Sequence, residues 1–168
     1  MIAPSEWHPI AVHFPLALVT TGAAALGAAR VWTHRSATLA TVGTWNLVLG
    51  ALGAMAALAT GLVALASVEI GAEAHAAVAQ HVKWAIFTTV GLLLLAAWRA
   101  AGGAPDARPS RLFLGVLWAL VAALIVTGYR GGQNVYRYGV GLGGKDATPH
   151  ERRPARAGVC VGVGVAND

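Results

Sequence analysis

Two imidazoles and two prolines fall within eight residues, His8-Pro9-Ile10-Ala11-Val12-His13-Phe14-Pro15, at the mouth of a long apolar run. A further histidine, His81, opens another such run. Ionisable groups at the edge of a bilayer are costly without a partner, so these side chains are functional candidates by default. Neutral imidazoles on opposed helices can clamp a haem iron from both faces, and axial ligation tunes its potential. His13 and His81 are the candidate pair. His8 precedes His13 by five residues, about 500° of helical rotation, so the two do not aim at one iron. His8 is left to bind a second centre, to hydrogen-bond a propionate, or to cap the helix.

Arg130, Gly131, Gly132, Arg137 and Tyr138 follow the last apolar run. Arginine forks suit carboxylates, and consecutive backbone N–H groups can form an anion nest, so this stretch is a candidate propionate site. Its plainer reading is interfacial anchoring. His75, His81, Glu69 and Glu73 offer a weaker zinc or copper set, with no H-E-x-x-H or C-x-x-C spacing behind it. The spans carry no ionisable group near their centres, which disfavours a transporter. Ser67 and Ser110 lack a nucleophile elbow, and no glycine-rich segment has the strand–loop–helix context of a nucleotide site.

The elements that must position these residues are membrane helices. The 168-residue chain is 57% hydrophobic and 11% charged. A soluble domain carries roughly 25% charged residues, so the deficit points to a lipid bilayer. Four apolar segments stand out: Pro9–Trp32, Ala37–Ala66, His81–Trp98 and Leu112–Tyr129. Each reaches or approaches the roughly 20 residues that span hydrocarbon. Period-2 alternation is missing, so an all-α, up-down bundle of four transmembrane helices is expected rather than a barrel. Residues 1–142 form this domain, and 143–168 read as a flexible or irregular tail. The start lacks the basic region of a signal peptide, so the first segment is expected to remain as a span. The single cysteine, Cys160, cannot form a disulfide within the chain.

Local signals refine the map. Pro9 suits a first helical turn, and His8 before it is pushed away from helical geometry. Pro15 cannot donate to Ala11, which predicts a kink. Asn46, Gly50, Gly53, Ala54, Ala57 and Gly61 share a face and predict close helix packing, with Asn46 finding a partner across it. Glu69 and Glu73 share a face if their segment is helical, although a solvated connector is the better reading. Val159-Cys160-Val161 is a possible short strand in the tail.

The +5 net charge flanks apolar runs rather than forming a nucleic-acid face. Arg30, Arg35, Arg99, Arg108 and Arg111 gather at one end of the bundle, which is expected to be cytoplasmic. The histidine end and both termini are then expected outside, at a bacterial inner membrane. Trp7, Phe14, Trp84, Tyr129 and Tyr136 would form one interfacial belt, and Trp32, Trp98, Phe113 and Trp118 the other.

The same residues resemble a family of small predicted bacterial membrane proteins, the domain-of-unknown-function family numbered 2231. The likeness rests on His8 to Pro15, on His81 at the third span, and on Gly131-Gly132-Gln133-Asn134-Val135-Tyr136-Arg137-Tyr138-Gly139-Val140-Gly141. It covers about Trp7 to Leu142. Tyr138 departs from it, because the family usually shows histidine there. The resemblance implies a four-helix membrane module, and its association with redox domains such as c-type cytochromes favours haem. The leading expectation is a cytochrome b-like subunit that carries haem b and moves electrons within a larger redox or photosynthetic complex. The rival is an accessory or scaffold subunit without cofactor. Both readings favour an electron-transfer or accessory subunit over a catalytic chain and leave open whether it is an enzyme.

Overall fold

The computed structural model describes residues 6–141. The tail and the Val159–Val161 strand expectation lie outside the described residues. Helices are the only regular elements among the described residues, with no strand. A short helix α1 (Trp7–Ala11) leads into α2 (His13–Val31), and a 3-10 turn (Thr33–Arg35) reverses the chain into α3 (Ser36–Ser67). A second 3-10 turn (Ala72–Ala74) opens α4 (His75–Ala101), and a loop over residues 102–110 leads to α5 (Arg111–Tyr136). Four spans are long and apolar enough to cross a membrane: Trp7–Val31, Thr33–Ser67, Ala72–Ala101 and Arg111–Tyr136.

The proline-induced break falls where the chemistry puts it. Pro15 has no N–H for the carbonyl of Ala11, and the helix is interrupted at Val12. The bond from Leu16 N–H to the Val12 carbonyl is stretched to 3.5 Å. The start of the helix differs from expectation. It begins at Trp7, so His8 lies within the first turn. Pro9 is then the third helical residue, and its missing N–H is among those a first turn leaves unpaired.

Two other helices are longer than their apolar cores suggested. His81 sits nearly two turns inside α4, and α5 runs on through Gly131 and Gly132 to Tyr136. Gly131 and Gly132 are therefore helix interior and form no anion nest. Gly139 takes a left-handed conformation at φ 65°, and its N–H bonds the Val135 carbonyl, which ends α5. Glu69 lies in the irregular connector before Ala72, so it shares no helical face with Glu73.

Helix α2 packs chiefly on α3 and α4 on α5; α3–α4 and α2–α5 contacts close the bundle, and α1 lies against α3. The core combines Val19, Leu26, Leu47, Ala51, Leu92, Leu117 and Leu124. Large apolar side chains also cover the outside, among them Trp45, Phe87, Leu94, Trp118 and Ile125. That surface suits lipid, where packing and hydrogen bonds replace the hydrophobic effect between helices. The α2–α3 seam shows the substitution at work. A Cβ on Gly43 would lie 2.6 Å from Leu26 Cγ and 2.9 Å from the Gly22 carbonyl oxygen. Across the same seam Asn46 Nδ2 donates to Thr21 Oγ1 at 3.2 Å, the partner its sequence position demanded. Between α4 and α5, Thr127 donates to the Ala123 carbonyl and its oxygen accepts from Thr88 at 3.1 Å.

Candidate functional site

Four helices converge at the histidine end of the bundle. His8 reaches from α1 to α3, where its Nδ1–H donates to the Ala57 carbonyl at 2.9 Å. His81 reaches from α4 to α5, where its Nδ1–H donates to the Thr127 carbonyl at 3.1 Å. The two ring centres lie 6.5 Å apart, with their planes at 73°. The pair is thus His8 with His81, and not His13 with His81 as the sequence suggested. His13 is exposed on its own helix and donates Nδ1–H to the Pro9 carbonyl at 2.6 Å.

Both imidazoles sit in the same kind of socket. Each bonds a backbone carbonyl, and each ring covers the glycine four residues later on that helix. A Cβ on Gly61, four after Ala57, would come within 2.9 Å of His8 Cε1. A Cβ on Gly131, four after Thr127, would come within 3.0 Å of His81 Cε1. Residues four apart stack along one face, so a side chain at the second position would close the route to the carbonyl of the first. This is a close-approach role for glycine, unrelated to its backbone freedom.

The sockets fix the tautomer. A carbonyl oxygen only accepts, so Nδ1 carries the proton in each neutral ring and Nε2 keeps its lone pair. Neither Nε2 has a hydrogen-bond partner among the described residues. Metal-ligating histidines commonly show this pattern, one nitrogen held by a carbonyl and the other presented to the metal.

The remaining candidates are dispersed around the pair. The Arg130 guanidinium lies 5.8 Å from the centre of the Trp84 ring, three residues beyond His81 on α4. Arg137 caps α5 and is exposed, and Tyr138 lies in the turn beyond it, also exposed. His75 is exposed and bonds the Gly71 carbonyl at 3.1 Å, one helical turn back. No group of three or more His, Cys, Asp or Glu gathers among the described residues, so the His75–Glu69–Glu73 metal set does not assemble around His81.

One arrangement at the opposite end escaped the sequence reading. Arg99 is only 8% exposed. Its Nε donates to Thr44 Oγ1 at 3.0 Å, and one terminal nitrogen donates to the carbonyls of Pro105 at 2.9 Å and Ala107 at 2.5 Å. Arg30 bonds the Pro109 carbonyl at 3.0 Å, and Arg108 Nε donates to Ser36 Oγ at 2.9 Å. These arginines shape the α4–α5 loop in addition to marking a membrane boundary. The pattern of arginine beside Gly-Gly and Pro residues carried no usable sequence signal.

Residues 5–144 match the model of a family described as a predicted membrane protein, DUF2231. No curated protein matches the chain, and no solved structure does.

Proposed function

The chain belongs to the DUF2231 family of predicted membrane proteins, and on that premise we propose that it is a membrane electron-transfer subunit holding haem b between His8 and His81. The observation that carries the reading is the oriented imidazole pair: ring centres 6.5 Å apart, each Nδ1 tied to a carbonyl of a different helix. Two imidazoles sharing one metal at about 2 Å per bond would hold their ring centres roughly 6 Å apart, close to the spacing of His8 and His81, the residues that would hold it. The carbonyl bonds orient both rings and raise the basicity of Nε2. Arg130 supplies positive charge on the same side of the bundle, where propionates need it. Haem, when bound, supplies a reversible one-electron couple. The protein's share is to fix the ligand geometry and to keep the couple in an apolar surrounding.

In this reading the histidine end faces outward and the arginine end lies in the cytoplasm, at a bacterial inner membrane, with both termini outside. The chain works beside other membrane subunits, which supply its electron donor and acceptor. A second reading is supported by the same hydrogen bonds. Each imidazole ties two helices together, α1 to α3 and α4 to α5, which is a helix-joining role that needs no cofactor and suits an accessory subunit.

Expression with supplemented haem, followed by an absorption spectrum and iron analysis of the purified protein, separates the two. A Soret band with reduced α and β bands, and iron near one per chain, is the expected result. A featureless visible region with no iron leaves the helix-joining role alone.

A further inference from the structure

The arginine end of the bundle carries a groove of about 200 Å³ between the end of α4 and the start of α5. Trp98, Arg99, Arg108, Ser110 and Phe113 are among its walls. We propose that this groove binds the phosphate headgroup of an anionic phospholipid.

The groove has two chemically distinct sides. Trp98 and Phe113 pack edge to face at 5.5 Å, and Trp98 is half exposed. This side matches an acyl chain. The other side is cationic. Arg99 is more than nine-tenths buried, yet its bonds go to a hydroxyl and to carbonyls, and no carboxylate pairs with it among the described residues. Asp106, in the loop beside it, offsets only part of the cationic charge gathered there, and a phosphate would supply more. Arg108 uses Nε on Ser36 and keeps both terminal nitrogens without a partner among the described residues, on an exposed side chain. Ser110 caps α5 by accepting from the Phe113 N–H at 3.1 Å, so the first turn of that helix faces the same groove. The surroundings add Arg30, Arg35 and Arg111 against Asp106 as the only carboxylate of this end among the described residues, so the charge balance there favours an anion. An amphipathic groove at a membrane boundary, cationic on its polar side, is the shape of a phospholipid site rather than of a soluble anion site. It lies at the opposite end from the histidines and stands or falls independently of haem.

The test is native mass spectrometry of the full chain in detergent, titrated with phosphatidylglycerol and, separately, with phosphatidylcholine. The wild type is expected to retain one phosphatidylglycerol about fivefold or more in preference to phosphatidylcholine, the scale of one arginine near a lipid surface. Arg108→Gln is expected to erase that preference, and Arg35→Gln, outside the groove, to keep it. Arg108 is exposed, so its variant retains the fold; an unchanged helical circular dichroism spectrum verifies this. Equal retention of the two lipids by the wild type, an undiminished preference in Arg108→Gln, or full displacement of phosphatidylglycerol by millimolar inorganic phosphate overturns the proposal.

Discussion

At the residue scale the account turns on which histidine meets His81. The answer depends on two glycines as much as on the imidazoles. A methyl group on Gly61 would press on His8 Cε1, and one on Gly131 on His81 Cε1. Gly61→Ala and Gly131→Ala are therefore expected to push each ring from its carbonyl and to lower haem content several-fold, while the helical circular dichroism spectrum is retained. Unchanged haem content in both variants would count against the sockets. The sequence drew attention to this cluster and to His81, and the angular argument that separates His8 from His13 holds. It paired His81 with His13, whereas the structure sets His8 beside His81, because Pro9 was read as the helix start. One residue type at one position, Trp7 rather than Pro9 as first helical residue, moves His8 from a flanking segment into the bundle. The usable signals were Ala57 to Gly61 and Thr127 to Gly131, each a carbonyl position followed four later by a residue without Cβ. Such pairs acquire meaning only once helix faces are known, which a single sequence does not supply for helices apolar on nearly every side.

At the element scale, the helices approach through small residues because lipid gives no hydrophobic reward for bringing apolar faces together. The α2–α3 seam is the tightest case. Gly43→Ala would place a methyl against Leu26 and the Gly22 carbonyl, and the backbone oxygen cannot rotate away. A loss of about 1–3 kcal/mol is expected, the usual cost of overpacking, read as a lower unfolding midpoint in detergent. Asn46→Leu removes the Thr21 bond without a clash of that kind and should cost less, about 0.6 kcal/mol. If Gly43→Ala unfolds at the wild-type midpoint, the seam is looser than described. The spans themselves were plain in the sequence, since uninterrupted apolar length is the strongest signal a membrane helix gives. Their ends were not. His75 to Gln80 and Arg130 to Tyr136 are polar enough to read as loop, yet they continue α4 and α5 as helix beyond the apolar stretch. Hydropathy reports where lipid lies, and backbone hydrogen bonding continues past that point.

At the scale of the whole molecule, the chain places its chemistry at opposite ends. The paired imidazoles of His8 and His81 lie at one end, and guanidinium groups shape the loop at the other. An even number of spans returns the described chain to the end at which it began. Under the proposed orientation, the excess of arginine in the α2–α3 and α4–α5 connections would set that loop end toward the cytoplasm by the positive-inside rule. With Cys160 replaced by serine, Gly71→Cys is expected to react with a membrane-impermeant maleimide applied to intact cells, and Ala104→Cys only after the membrane is opened. Labelling in the reverse order would invert the topology, and with it the side on which electrons would arrive.

The measurement closest to the central claim is the haem absorption of three single variants, His8→Ala, His13→Ala and His81→Ala, purified in parallel with the wild type. Loss of the Soret band in His8→Ala and His81→Ala, with the band intact in His13→Ala, is the predicted outcome. A band that survives in the first or third variant, or that vanishes with His13, would contradict it.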